Sequence, residues 1–101
     1  VHHPADLRLL ANLLSQEKEY AKHLATLLDH SNASLASVTA YASASSPASA
    51  QLILSVVGSL ATADDALRHY AVAVDRWRDY LKGLKALEDE VGNIMRDREI
   101  L

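Results

Sequence analysis

The residues that could do chemistry in this chain are its five histidines and its carboxylates. Two acid–histidine pairs are spaced four residues apart, Glu19 with His23 and Asp65 with His69, so each pair shares one face of a helix. Metal sites in helical bundles instead combine glutamates with Glu-x-x-His pairs that face inward. The spacing therefore predicts surface pairs, and no metal or other cofactor is expected.

Other catalytic arrangements are also missing from the sequence. There is no cysteine and no glycine-rich phosphate loop, and no serine has a recognisable histidine and acid partner. Glu17 and Glu88 fall at seam positions of a heptad pattern, where a role in helix register is the simpler interpretation. We therefore expect a protein that is not an enzyme and has no small-molecule substrate.

Basic residues of the second half are candidates for a different activity. A lysine or arginine near an anionic lipid surface gains about 1 kcal/mol. Aspartates lie among these residues, so ordinary ion pairing on a solvent-exposed face is the competing interpretation. The net charge of −3 argues against a nucleic-acid partner, because phosphate neutralisation needs clustered positive charge. The candidates for lipid binding are Arg68, Arg76, Arg78, Lys82 and Lys85.

Two long apolar patterns of helical period position all these residues. Read in heptads from Leu7, the first segment runs from about residue 4 to 42 and places leucine or alanine at every a position. Ser46 is a predicted N-cap and Pro47 the first residue of the next helix, after a turn at about 43–47. The second segment, read in heptads from Ile53, continues to about residue 101. The sequence thus predicts an all-α fold, one antiparallel helical hairpin of coiled-coil type.

The second helix is predicted to be longer than the first. About residues 85–101 would then lack an intramolecular partner, and their apolar side chains would need cover from another molecule. A homodimer with twofold symmetry, forming a helical bundle, is the simplest expectation. The residues expected at the dimer or partner interface are Tyr70, Trp77, Leu84, Leu87, Val91, Ile94 and Met95.

The predicted turn lies in the middle of an uncharged stretch. From residue 30 to 63 there is no Asp, Glu, Lys or Arg. Small alanine and serine side chains favour close packing of the two helices there. The alternative is a contact with a membrane or another protein through Leu52, Ile53, Leu54, Val56 and Val57. No uninterrupted apolar run approaches the ~20 residues that cross a bilayer.

Several strings resemble the BAR superfamily, and its F-BAR branch in particular. Glu17 to Leu24 is similar to a first-helix segment in which an acidic residue precedes Tyr-Ala-Lys-x-Leu, and Trp77 to Leu81 looks like part of the long central helix. The resemblance implies dimers of long antiparallel helices that bind and bend anionic membranes, with the five basic residues named above on the membrane face. Such modules have three or more helices, so this chain would be a piece lacking at least one.

The sequence therefore leads to one expected function and one alternative. The expected function is a non-catalytic, dimeric, BAR-like scaffold, cytoplasmic and peripheral to an anionic membrane. The alternative is a coiled-coil tether or adaptor subunit that binds another protein and no lipid. The sequence does not specify a curvature sign, a lipid preference or the identity of a partner.

Overall fold

Two α-helices account for the fold. A computed structural model describes the backbone of residues 4–100 and the side chains of residues 7–98. Helix α1 spans Pro4–Ser43 and helix α2 spans Pro47–Ile100, joined by three residues. The prediction of a helical hairpin is confirmed, with α1 ending one residue beyond the predicted boundary. The end predicted at residue 101 lies outside the described residues.

The connection follows the predicted capping chemistry. The Ser46 carbonyl accepts the first bond of α2 from the Ala50 amide at 2.8 Å, and the Ser46 hydroxyl accepts a bond from the Ser49 amide at 3.4 Å. Ser46 is thus the N-cap of α2, with Pro47 at the first helical position, where its missing N–H costs nothing. The end of α1 is tied by the Ser45 hydroxyl, which donates to the Tyr41 carbonyl at 2.8 Å.

Burial follows different heptad positions on the two helices. On α1 the a and d positions are half-buried or buried from residue 10 onward, as predicted. On α2 the buried strip uses mainly the a and e positions, whereas five of the seven expected d residues are exposed: Val56, Ala63, Tyr70, Trp77 and Arg98. Helix α2 carries apolar residues over the a, d and g positions, and a single partner helix covers only part of so wide an arc.

The chain divides into two compact units. One unit comprises the described parts of residues 1–21 and 74–101, and the other comprises residues 22–73 and includes the turn. In the first unit Val74 and Leu81 are buried, and in the second Leu24 and Ala42 are buried. No other hydrophobic side chain in the described range 7–98 reaches full burial. The hairpin therefore has a thin core.

The unpartnered end of α2 is shorter than the sequence suggested. Glu88 and Val91 are half-buried, although they lie in the segment expected to be free. Only residues 93–98 are exposed without interruption. The uncovered segment is therefore shorter than the one predicted.

Candidate partner-binding surfaces

In the unit of residues 22–73, apolar residues of both helices share one side of the hairpin. Leu27 and Ser34 of α1 line a groove together with Ala63 of α2. Nearer the turn, Tyr41 of α1 lines a second groove with Leu52 of α2. The g positions of α1 therefore lie on the same side as the d and g positions of α2. We call this side the apolar flank.

The unit of residues 1–21 and 74–101 has the same arrangement. Here Lys18 of α1 and Lys82 of α2 line a groove on one side of the helix pair. The g positions of α1 and the d and g positions of α2 lie on the opposite side, which is the apolar flank of this unit. On that flank Trp77 and Tyr80 stack on each other, with ring centroids 6.0 Å apart and planes inclined by 16°. Stacking removes little of either ring from water, since Trp77 is 43% and Tyr80 64% exposed. The pair is a rigid aromatic platform that faces outward.

The apolar flank holds most of the exposed apolar surface of the described chain. Seventeen large hydrophobic side chains are exposed in the described range, and eleven of them occupy the apolar flank of one unit or the other. Scattered exposed leucines are normal on a soluble protein, whereas a contiguous apolar patch marks a contact surface. The eleven are Leu13, Tyr20, Leu27, Tyr41, Leu52, Val56, Tyr70, Trp77, Tyr80, Leu87 and Ile94.

The residues predicted for the dimer or partner interface fall into two groups. Tyr70, Trp77, Leu87 and Ile94 are exposed on the apolar flank. Leu84 and Val91 are half-buried, so much of their surface is already used within the chain, and Met95 is 43% exposed near the end of α2. Sequence reasoning missed Tyr80 and the α1 residues of the flank, such as Leu13. Their g positions were a usable signal, because they repeat at the period of the helix.

The opposite side of the first unit carries a basic groove. It is lined by Leu14, Ser15 and Lys18 of α1 and by Arg78 and Lys82 of α2. No carboxylate lines it. Two of the five predicted lipid-binding residues, Arg78 and Lys82, are thus brought together with Lys18, a lysine of the other helix that is not among those five.

The other three predicted lipid-binding residues do not join this groove. Arg68 donates from Nε to Asp64 at 2.8 Å, and Lys85 donates to Asp89 at 2.8 Å. Arg76 and Arg78 are two residues apart, so they point in directions separated by about 200° around the helix. The single basic stripe expected on α2 is therefore divided, with part of it engaged in ion pairs within the helix.

A polar contact joins the two helices in the unit of residues 22–73. The Ser31 hydroxyl donates to Oδ1 of Asp64 at 2.6 Å, and Arg68 occupies the other carboxylate oxygen. Asp64 is only 9% exposed. The hydrogen bond from Ser31 and then that from Arg68 hold the pKa of Asp64 below its ordinary value of 3.8. Sequence reasoning missed this contact because Asp64 lies at an e position, outside the expected seam.

We expect Asp64→Asn to lower the free energy of unfolding at neutral pH. The substitution should also reduce the loss of that free energy as the pH falls. Because the folded pKa of Asp64 is depressed, its contribution is fully present above the ordinary value of 3.8 and is lost as pH falls through the lower folded pKa. Urea unfolding from neutral pH to below 3.8 would measure this. Asp65→Asn is the matched control, because Asp65 is 72% exposed. The expectation is wrong if the free energy of unfolding decreases equally with falling pH in Asp64→Asn and in the unchanged chain.

The acid–histidine pairs are poor candidates for a metal centre. The Asp65 carboxylate lies 3.5 Å from Nδ1 of His69, and both side chains are more than two-thirds exposed. Over the residues that the structure describes, no three metal-ligating side chains converge. The geometry of Asp65 and His69 is that of an ordinary surface pair within one helix.

Helix α2 contains one stretch apolar enough to be compared with a membrane span. An 18-residue window within Pro47–Arg98 reaches a mean hydropathy of 1.2, and 6% of it is buried. The sequence had not predicted this stretch, because it has no long unbroken apolar run. Serines and threonines interrupt its leucines and valines. By length and composition alone this helix could cross a bilayer, which is weak support for any membrane contact.

Comparison with known proteins adds no assignment. No protein-family model, no curated protein and no solved structure matches this chain.

Proposed function

We propose that this chain is a non-catalytic assembly module whose apolar flank binds a second copy of itself. The observation that supports this most strongly is the concentration of exposed large hydrophobic residues on one flank in both units. Aromatic residues are enriched at the centres of protein interfaces, and the flank presents four tyrosines or tryptophans, three in the unit of residues 1–21 and 74–101 and one in the unit of residues 22–73. They are Tyr20, Tyr70, Trp77 and Tyr80.

The exposed area agrees with what a dimer needs. The chain exposes 7691 Å² of surface for a mass of 11.0 kDa. A compact monomer of that mass would expose about 5600 Å². The excess of about 2100 Å² exceeds the roughly 800 Å² that each partner buries in a standard interface. A second copy is the occupant that requires no other molecule, and twofold symmetry would cover the flank of both copies at once.

Sedimentation equilibrium of the full chain over a range of concentrations tests this proposal. A reversible monomer–dimer equilibrium is the expected result. A monomer at every concentration would overturn the second-copy proposal and leave the alternative, a tether or adaptor that uses the same flank to bind a helix of another protein.

Attachment of the dimer to anionic membranes, as in the BAR-like resemblance, is a second candidate function. It is favoured by the basic groove, which concentrates three cations on the flank opposite the apolar one in a chain whose net charge is −3. A dimer formed through the apolar flank would leave these cations free to face a lipid surface. In this proposal the module performs no chemistry and acts by electrostatic attachment.

We expect Lys82→Glu to weaken co-sedimentation with phosphatidylserine vesicles by on the order of tenfold, because it replaces attraction by repulsion. Added salt should weaken vesicle binding by the unchanged chain in the same assay, since exposed charges are screened. Arg76→Glu is the matched control, with the same charge change away from the groove and an expected loss below about twofold. Equal losses for both variants, or no binding by the unchanged chain, would contradict attachment through the groove.

A further inference from the structure

Two of the three cations that line the basic groove, Lys18 and Lys82, have no ion pair among the described residues, although Arg68 and Lys85 elsewhere do. Arg68 and Lys85 each bond a carboxylate at 2.8 Å. Arg78 is 4.0 Å from the Asp75 carboxylate, a separation too long for a hydrogen bond. Within the described residues Lys18 and Lys82 are therefore unneutralised, and Arg78 is balanced only by one long ion pair to a 70% exposed carboxylate.

The groove also has the form of a site. Its wall on α1 is Leu14, and Ser15 adds a hydroxyl beside the cations. The Arg78 side chain is 23% exposed, so most of it packs against the protein. Arg78 and Lys82 are four residues apart on one helix, and like charges at this spacing repel. An anion bound between Lys18, Arg78 and Lys82 would convert this repulsion into attraction.

We propose that Ser15, Lys18, Arg78 and Lys82 form a binding site for a phosphate monoester group. Such a group carries a charge of about −1.5 to −2 at neutral pH and offers three terminal oxygens as acceptors. A guanidinium and two ammonium groups can satisfy these oxygens together, while the serine hydroxyl supplies a further donor. A phosphodiester or a carboxylate has less charge and only two such oxygens, so it matches the three cations less well.

This proposal deepens the membrane candidate where the phosphate belongs to a lipid headgroup, and to that extent it rests on the proposed function. A soluble phosphorylated molecule presents the same chemistry. The difference from general electrostatic attachment is that the site is discrete. Binding should depend on the residues that line the groove and should saturate, whereas diffuse attraction depends on total charge.

Titration of the full chain with inorganic phosphate at constant ionic strength, followed by amide NMR shifts, tests the site directly. Saturable shifts are expected at Ser15, Lys18, Arg78 and Lys82. The double variant Lys18→Gln with Lys82→Gln should lower the affinity by on the order of tenfold. Helix content measured by circular dichroism should be unchanged, because both lysines are exposed. No saturable shift in the unchanged chain would overturn the proposal.

Lys85→Gln is the matched control, since it removes a lysine three residues beyond Lys82 that lies outside the groove and is paired with Asp89. Its affinity for phosphate should stay within about twofold of that of the unchanged chain, because a surface pair of this kind contributes little. If Lys85→Gln alone weakens phosphate binding as strongly as the double variant, binding reflects total charge and the discrete site is wrong.

Vesicles separate the two sources of the phosphate. At matched surface charge, vesicles with phosphatidylinositol monophosphate should bind more tightly than vesicles with phosphatidylserine, whose headgroup contains no phosphate monoester. Equal binding to both would overturn the discrete site and leave membrane attachment standing. Binding of inorganic phosphate without binding to either vesicle would support the site with a soluble ligand and would overturn the membrane proposal.

Discussion

Leu87→Asp is expected to convert a dimer into a monomer. Leu87 is 56% exposed on the apolar flank, so it contributes little to the fold of a single chain. Burying a leucine is worth about 1.5–3 kcal/mol, and a twofold interface contains each residue twice. The dissociation constant of the dimer should therefore rise by on the order of 1000-fold, before the cost of burying two carboxylates is added. Sedimentation equilibrium measures the change.

The matched control is Leu54→Asp. Leu54 lies on the same helix and is 51% exposed, but it occupies a heptad position on the side away from the apolar flank. Both substitutions place the same side chain in an exposed helical position, so their effects on helix stability should be similar. Leu54→Asp should leave the dimer intact. The flank is not the interface if the two variants dissociate the dimer equally.

Leu81→Ala is expected to destabilise the fold by about 3 kcal/mol. Leu81 is 1% exposed and is the largest fully buried side chain of the described residues. Only three other hydrophobic side chains in the described range share full burial with it, so neighbouring groups have little means of filling the cavity. In a domain of about 100 residues a loss of this size lowers the melting temperature by roughly 15 °C. Thermal unfolding followed by circular dichroism measures it.

Leu54→Ala serves as the control for the core, with an expected change within about 0.5 kcal/mol because Leu54 is exposed. Self-association would add concentration-dependent stability to every variant. Both changes should therefore be measured in the Leu87→Asp background as well as alone. If Leu81→Ala and Leu54→Ala lower the free energy of unfolding by similar amounts, the buried contacts between α1 and α2 contribute little to folding.

The two proposals use different sides of the hairpin. The stacked pair of Trp77 and Tyr80 lies on the apolar flank, while Lys18 and Lys82 line the groove on the other side of the same unit. Leu87→Asp should therefore leave the affinity for inorganic phosphate unchanged, and substitutions in the groove should leave self-association unchanged. Lipid attachment by a dimer would still gain from two grooves acting together.

The sequence by itself determined the two helices and the turn between them. Helical periodicity, together with Ser46 and Pro47, is local information, because a helix and its cap are built from neighbouring residues. The burial of the a and d positions of α1 was predictable for the same reason. The apolar flank was partly readable too, since Tyr70 and Trp77 were already expected to contact a partner.

Only the tertiary structure decided which part of each apolar arc is used within the chain. Helix α2 has more apolar positions than one neighbour can cover, and the pairing with α1 selected the a and e positions, which buried Asp64 and left Trp77 exposed. The basic groove likewise required the pairing, because Lys18 and Lys82 are distant in sequence. Periodicity specifies the faces of a single helix, whereas the register and rotation of two helices depend on how their side chains pack against each other.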